Sequence, residues 1–344
     1  MNKKITLSIT LLLFVGILFS ANADFIKNLK LTSIYNSNIL KYSEDDLEDF
    51  KNFGKNDKFE IETSDDLIIS PELNLGIKHR LFAGHTQVIK ANFKYNKFLK
   101  NNIKDEMIIG FDLKQYLSKK MNFSLGYSYY PEIYVRNYKS VLDDVYHEFS
   151  YAKNVYDGKL NFQFLPLVRL GYGFEFSQLY YNKYFTEYDA SNIKNTAELN
   201  LKTPGNVSTT FGYSYKVSDA DAEDAFENLD EISVIKDSGY ESNMYTFSVL
   251  MSDFEIGIPI DIYGNFKFEE RFFQSDFEDD KYHFGREDRI FTISSFLRYD
   301  ITKHLQIKLI GKYELRDTKS NFSSVENAKE YNFSETGLNL NFKY

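Results

Sequence analysis

One short stretch of the sequence carries residue types that could catalyse hydrolysis. The segment EDDKYHFGRED places Asp279 and Asp280 close to His283, and a carboxylate beside an imidazole is a common arrangement for general acid–base catalysis. A solvated acidic loop would contain the same residues, and no recognisable motif surrounds them, so an enzyme is the least favoured alternative. The other four histidines have neither an evident serine partner nor the spacing of metal ligands: His79, His85, His147 and His304. We therefore predict no catalytic residues, no metal site and no cofactor.

A second group of residues would act through charge alone. It lies late in the chain and consists of Lys267, Arg271, Asp288, Arg298, Lys312, Glu314 and Arg316. Around a water-filled passage, the basic members of this set would favour anionic solutes. In a closed interior, the same residues would form a ladder of ion pairs that holds neighbouring segments together. Which interpretation holds depends on the secondary structure that carries these residues and on the space that it encloses.

Those elements have the alternation of β-strands with one apolar face and one polar face. In LIISPELNLGIKHR, the side chains from Ile69 to Ile77 alternate with polar residues or glycine from Ser70 to Lys78. Ten such residues reach across a bilayer when a strand that rises ~3.3 Å per residue is tilted by ~40°. The same period of two recurs along the chain as far as its end, ETGLNLNFKY.

The connections between these strands alternate in length. Short ones lie near 83–85, 118–121, 164–167, 203–206, 252–258 and 300–304, and long polar ones near 37–66, 97–105, 137–144, 182–191, 218–240, 274–287 and 317–328. Six short and seven long connections predict fourteen strands, with both termini on the side of the short turns. Twelve or sixteen strands are alternatives, because the first strand, near Asn28, is poorly patterned. The apolar parity also changes between Phe149 and Leu160, which predicts a β-bulge near Asp157 and Gly158.

The first 23 residues have the features of a secretory signal peptide. Lys3 and Lys4 precede an apolar run from Ile5 to Phe19, and the small residues Ala21 and Ala23 follow. We predict cleavage after Ala23, so that residues 24–344 form the mature domain. The whole sequence contains 32 Phe, 27 Tyr and only 5 Pro, which favours strands, and it has no Cys, which excludes disulfides and thiolate sites.

The end of the chain carries a more specific signal. Thr336, Gly337, Leu340, Phe342 and Tyr344 resemble the C-terminal motif by which the barrel assembly machinery recognises Gram-negative outer-membrane β-barrels. The mature chain looks like such a porin-like barrel over essentially its whole length, although Lys343 and Tyr344 extend beyond the usual hydrophobic pair. The resemblance implies an all-β, closed, antiparallel up-and-down barrel in the outer membrane, with outer-membrane lipid, lipopolysaccharide and the assembly machinery as partners.

Strand parity predicts a positively charged lumen in a negatively charged protein. The inward positions carry 18 basic and 10 acidic residues, and acidic residues collect in the predicted outer loops 43–66 and 219–231. Those loops could bridge through divalent cations to lipopolysaccharide or could simply be solvated. Without Lys3 and Lys4, the chain has 39 basic and 50 acidic residues, a net charge of −11 that argues against nucleic acid as a partner.

Barrel size connects this charge to a function. Fourteen tilted strands enclose a backbone cylinder roughly 27 Å across, which is wide enough for water, although Lys–Glu ladders could also close it. We predict a monomeric or trimeric passive channel for small hydrophilic solutes, with a mild preference for anions. A structural or adhesive barrel that displays acidic loops is the alternative from another class.

Overall fold

Fourteen antiparallel strands close into a single barrel in the computed structural model, which describes residues 23–81, 84–140, 143–220, 237–255 and 257–344. Each strand pairs with its neighbours in the chain, and β1 pairs with β14. The predicted fold class and strand number are therefore confirmed, and the predicted signal peptide lies outside the described residues except for Ala23. In chain order the strands are β1 (Asp24–Asn36), β2 (Asp66–Leu81), β3 (His85–Phe98), β4 (Glu106–Tyr116), β5 (Met121–Lys139), β6 (Tyr146–Leu165), β7 (Val168–Tyr181), β8 (Ala190–Thr203), β9 (Val207–Ala220), β10 (Tyr240–Glu255), β11 (Pro259–Phe273), β12 (Glu287–Asp300), β13 (Leu305–Lys319) and β14 (Tyr331–Lys343).

The short turns are built from residues that tolerate a left-handed backbone. Between β8 and β9, Gly205 and Asn206 have φ angles of 89° and 60°, and Thr203 pairs directly with Val207. Glycine has no Cβ and asparagine accepts positive φ better than most residues, so this hairpin reverses without strain. The tight turns lie at one end of the barrel and the long connections at the other, which we call the outer mouth.

The C-terminal strand closes the barrel, as its alternation predicted. In β14, Leu340 lies opposite Leu31 of β1, and Thr336 lies opposite Tyr35. The backbone N–H of Tyr344 then donates to the carbonyl of Lys27, so the last residue is also tied to the first strand. Pairing β14 with both β13 and β1 leaves no free sheet edge.

The predicted bulge near Asp157 and Gly158 is wrong. Both residues lie in uninterrupted ladders with β5 and β7, and the register shifts of this hairpin fall in β5, between Tyr130 and Ile133 and again between Tyr134 and Arg136. The apparent change of parity arose because Phe149 and Leu160 were both assigned to lipid. Phe149 in fact faces the lumen and packs there against other aromatic rings.

The outside of the barrel is apolar and exposed. Leu29, Leu73, Phe111, Leu125 and Leu309 are each between 41% and 55% exposed although they lie at the centres of strands. Such a continuous apolar surface is stable only in lipid, and closed barrels satisfy every backbone hydrogen bond within the sheet. The protein is thus an integral barrel of the outer membrane. Among the described residues, no helix is long and apolar enough to cross a membrane.

The described parts of the long connections at the outer mouth contain two helices. Helix α1 (Glu44–Phe53) follows β1, and helix α2 (Ser323–Lys329) lies between β13 and β14. The Ser43 hydroxyl accepts a hydrogen bond from the Asp46 N–H at 3.1 Å and caps α1, and Glu44, Asp45 and Asp46 occupy its first turn, where the helix dipole favours acidic residues. Short 3₁₀ turns cover Asn102–Lys104 and Thr186–Tyr188.

Candidate functional site

The first long connection, residues 37–65, folds into the outer mouth; we call it the plug loop. It contributes five buried apolar side chains to a small core that it shares with Phe98 of β3 and Tyr134 of β5: Ile39, Leu40, Tyr42, Phe59 and Ile61. Burying these side chains removes apolar surface from water, which offsets the conformational entropy of ordering a long loop. The prediction of a simply polar loop is therefore wrong for this segment.

Arg136 on the inner face of β5 fastens one side of the plug loop. Its guanidinium donates to Asp46 of α1 at 3.1 Å, to the Leu40 carbonyl at 3.1 Å and to the Lys41 carbonyl at 3.3 Å. Lys58 also contacts Asp46, at 3.0 Å. The side chains of Arg136 and Asp46 are only 16% and 14% exposed, so this ion pair is screened little by solvent.

Lys41 fastens the other side of the plug loop. Its ammonium contacts Glu314 of β13 at 2.6 Å and lies 5.3 Å from the centre of the Tyr331 ring of β14. Glu314 is 7% exposed but keeps other partners, the Tyr331 hydroxyl at 2.9 Å and Lys312 at 3.5 Å. The two attachments span the sector of the barrel from β13 through β1 to β5.

The remaining sector of the mouth contains a cavity of about 800 Å³, which we call the chamber. Its wall is formed by the outer ends of β5 to β11, together with β13, helix α2 and the plug loop. Two carboxylates, Asp46 and Glu187, line it, against eight basic side chains: Lys58, Arg136, Lys139, Lys216, Arg271, Arg286, Arg316 and Lys329. The charged side chains that line the chamber are therefore mostly basic.

Two lysines of the chamber contact tyrosine hydroxyls. The Lys216 ammonium on β9 donates to Tyr240, and the Lys329 ammonium of α2 donates to Tyr138 at 3.3 Å. Burial lowers the pKa of Lys329, and the neighbouring cations, Arg286 first among them, lower it further against the opposing effect of Tyr138. A pKa lowered in this way means that positive charge at Lys329 is only partly compensated by the protein.

Asp288 is the centre of an arginine cluster. It is fully buried and accepts two hydrogen bonds from Arg286, at 2.9 and 2.8 Å, and one from Arg316, at 2.6 Å. Thr318 donates to it at 3.0 Å, while Arg271 on the adjacent strand binds Glu269 at 2.7 Å. One carboxylate is thus shared by two guanidinium groups.

A tight hairpin at 300–304 would place Asp288 directly across from Arg316, but the observed register differs from this by two residues. Asp288 lies opposite Thr318, and Arg316 lies opposite Ile290. The reason is the turn between β12 and β13, whose last pair is Asp300 with Gln306, so it is longer than the tight hairpin assumed. The Arg316 side chain is long enough to reach Asp288 diagonally. Arg271 does lie directly opposite Asp288 on the other side.

The other predicted lumen residues divide into two groups. Lys267 contacts Glu269 at 3.5 Å, and Lys312 contacts Glu314 at 3.5 Å, so both lie beside the cluster at the outer mouth. Arg298 is set apart in the opposite half of the barrel, where it pairs with Asp261 across β11 and β12. The structure therefore brings six of the seven predicted residues together and separates Arg298.

Cross-strand ion pairs line the lumen away from the mouth. Lys30 contacts Glu72 at 2.6 Å, and Lys159 contacts Glu198 at 2.6 Å. These side chains are between 22% and 39% exposed, which indicates contact with water inside the barrel. Such exposed pairs add little stability, so their main effect is on the field that a solute meets.

An aromatic cluster forms the wall of the chamber on the side of β5 to β8. The Phe149 ring lies 4.7 to 5.0 Å from the rings of Tyr138, Tyr181, Phe185 and Tyr188. Edge and tilted contacts at these distances are favourable and hold the rings in fixed positions. The chamber wall thus contains aromatic rings as well as cations.

Two of the three potential acid–base residues are buried, although much of the segment around them is exposed. Asp280 and His283 are 3% and 7% exposed, and their side chains are 2.9 Å apart, while Asp279 is exposed. Burial lowers the pKa of His283 against the effect of its hydrogen bond to Asp280. Among the residues that the structure describes, no group of three or more His, Asp or Glu side chains could hold a metal ion.

Sequence reasoning missed the plug loop and its attachments. Strand parity places Arg136 on the inner face of the barrel, but the sequence assigns its partner Asp46 to an outer loop, together with Lys41, and assigns Arg286 to another. A signal was present, because eight large apolar residues between positions 39 and 61 are unusual for a loop that stays in water. Strand parity could not locate these contacts, since they join segments far apart in the chain.

Comparisons with known proteins give a likeness of fold. No family model and no curated protein matches the chain. Among solved structures, a loop-deletion mutant of OmpT, an outer membrane protein of Vibrio cholerae, has 8% identity and a TM-score of 0.46, covering 94% of this chain and 99% of that chain. An anion-selective porin from Comamonas acidovorans has 7% identity and a TM-score of 0.43, covering 93% and 99%. OccAB4 of Acinetobacter baumannii has 12% identity and a TM-score of 0.40, covering 93% and 98%.

Proposed function

We propose that the protein is a passive outer-membrane channel for small hydrophilic solutes that prefers anions. The observation that carries this proposal is the charge of the chamber, where eight basic side chains and two carboxylates surround the space left beside the plug loop. A solute that crosses the mouth next to the plug would pass these cations. Fixed charge around a narrow wet passage concentrates ions of the opposite sign.

The partial exposure of the charged side chains in the lumen supports a water-filled, conducting barrel. Its charged pairs are partly exposed, and isolated or partly paired charges in a dry interior would cost several kcal/mol each. The plug loop narrows the mouth without filling it, since the chamber lies beside it. No chemical step is part of this function: transport would follow the solute gradient.

Planar-bilayer recording in a salt gradient tests the proposal. We expect open-channel current and a reversal potential of the sign set by chloride permeation. Exchanging two chamber lysines, Lys216→Glu with Lys329→Glu, should reduce or reverse that preference. Lys303→Glu, on an exposed turn at the other end of the barrel, is the matched control and should change it little. A closed trace, or cation selectivity in the wild type, contradicts the proposal.

Two variants of the protein distinguish the channel from the adhesive and enzymatic alternatives. Deletion of 219–231, of which positions 221–231 lie outside the described residues, should abolish partner binding by an adhesin but leave channel current intact. An enzymatic barrel would lose turnover in His283→Ala while keeping its fold. The proposal also implies lipid and lipopolysaccharide around the barrel, and assembly machinery that recognises the motif from Thr336 to Tyr344.

A further inference from the structure

We propose that the chamber is a binding site for a ring-bearing phosphomonoester, with its phosphate among the cations and its ring against the aromatic wall. This names the class of solute that the site would select. Its role in transport rests on the channel function proposed above, whereas binding itself can be measured without current.

The first argument is uncompensated charge. Five cations lie together at the chamber: Lys216, Arg271, Arg286, Arg316 and Lys329. The three arginines pair with two carboxylates, Glu269 and Asp288, whereas the two lysines donate to tyrosine hydroxyls. Glu269 binds Arg271, and Asp288 binds both Arg286 and Arg316. Three more positive than negative charges therefore face one cavity. Buried charge without a counter-ion is costly, and an entering dianion would neutralise most of the excess.

The second argument is the chemistry of the cations. Four residues that line the chamber carry guanidinium groups: Arg136, Arg271, Arg286 and Arg316. A guanidinium group presents several N–H donors in a fixed plane and binds phosphate in a bidentate manner. The three terminal oxygens of a phosphomonoester would accept such hydrogen bonds.

The third argument comes from the shape of the chamber. Inorganic phosphate alone would leave most of a cavity of about 800 Å³ empty, and this volume falls in the range of ~300 to 1,000 Å³ usual for sites that enclose small organic ligands. The chamber is also lined by Tyr181, Phe185 and Tyr188, which pack around Phe149. Aromatic rings bind the flat or apolar face of a sugar, base or phenyl group. A ligand with a ring at one end and a dianion at the other matches both walls.

Isothermal titration of the full mature chain in detergent tests this inference, with phenyl phosphate as the probe. We expect phenyl phosphate to bind at least tenfold more tightly than inorganic phosphate, which has no ring, and than phenol, which has no charge. Benzoate, a ring-bearing monoanion, should fall between phenol and phenyl phosphate. Equal affinity for phenyl phosphate and inorganic phosphate would contradict the role of the aromatic wall, and equal affinity for phenyl phosphate and phenol would contradict the role of the cations.

Substitutions locate the binding. Lys216→Met and Lys329→Met should each weaken phenyl phosphate binding about tenfold or more, whereas Lys329→Arg, which keeps the charge, should bind much more like the wild type. Lys308→Met removes a lysine from β13 in the opposite half of the barrel and should leave the affinity unchanged. A heat-modifiability gel shows that each variant is folded. Wild-type affinity in folded Lys216→Met and Lys329→Met would overturn the proposal.

Bilayer current distinguishes failure of this inference from failure of the proposed function. If the channel conducts anions but phenyl phosphate neither binds nor reduces the current, the site is refuted and the channel stands. If phenyl phosphate binds but no current flows, the channel is refuted and the chamber is a binding site only. If the site serves transport, phenyl phosphate should reduce chloride current at the concentration at which it binds.

Discussion

Arg136→Met should release the plug loop. The substitution removes a salt bridge to Asp46 and the hydrogen bonds to the carbonyls of Leu40 and Lys41. Breaking a pair this poorly exposed costs ~3 to 5 kcal/mol, and because Asp46 keeps Lys58 we take the lower limit, about 3 kcal/mol. An energy of about 3 kcal/mol corresponds to a shift of roughly 150-fold from the seated to the released loop.

Lys41→Met provides the internal comparison. Lys41 is 46% exposed, and Glu314 keeps Tyr331 and Lys312 after the change. Its loss should therefore cost at most about 1 kcal/mol, roughly a fivefold shift. The two attachments look similar as ion pairs, but their different exposure predicts very different effects.

Single-channel recording measures this shift as the fraction of time spent in a larger-conductance state. Arg136→Met should increase that fraction strongly or make it permanent, and Lys41→Met should increase it slightly. Arg289→Met removes an exposed guanidinium from β12 and controls for loss of an arginine as such. The reasoning is refuted if folded Arg136→Met behaves like Arg289→Met, or if Lys41→Met has the larger effect.

Two further predictions concern stability. Burial lowers the pKa of Lys104, in the 3₁₀ turn after β3, to about 8, against ~10.4 for an exposed lysine. The unfolded chain then binds more protons between these values, so wild-type stability in urea should rise from pH 8 to 10 relative to Lys104→Met; a constant difference would contradict this. A Cβ at Gly337 would lie 2.5 Å from the Ser33 carbonyl, whereas Gly264 has nothing within 4 Å. Gly337→Ala should therefore lose ~1 to 3 kcal/mol and fold less completely on electrophoresis. Gly264→Ala should match the wild type, and equal behaviour of both variants would argue against crowding at the closure.

The position of the plug loop explains why the long connection 37–65 contains large apolar residues, which the strand pattern does not account for. Apolar side chains in a long connection need a surface to bury against, and inside a wide barrel that surface is the inner wall near Tyr134. Once the loop occupies one sector of the mouth, the cations of the other sector become the surroundings of any solute. The position of the plug thus turns a diffuse excess of lysine and arginine into a defined chamber.

Most of the barrel could be predicted from the sequence because its determinants are local. Alternation of period two in Ile69–Ile77 and at the C-terminus fixes which side chains meet lipid, and turn lengths fix the order of the strands. The strand count, closure by Leu340 and Phe342, and the membrane location followed from these features. The pattern failed at Phe149, where an aromatic residue faces the lumen, because alternation alone does not distinguish an apolar side chain against lipid from one against other rings.

The sequence by itself therefore predicted a closed barrel of about fourteen strands in the outer membrane. Tertiary structure alone decided that Arg136 meets Asp46, 90 positions earlier in the chain, and that Arg286 and Arg316 share Asp288. The physical reason is that strand periodicity is a property of neighbouring residues. The contacts of a loop depend instead on the free energy of burial and ion pairing with residues that are distant in the chain. A chamber formed by eight strands, helix α2 and the plug loop has no local signature.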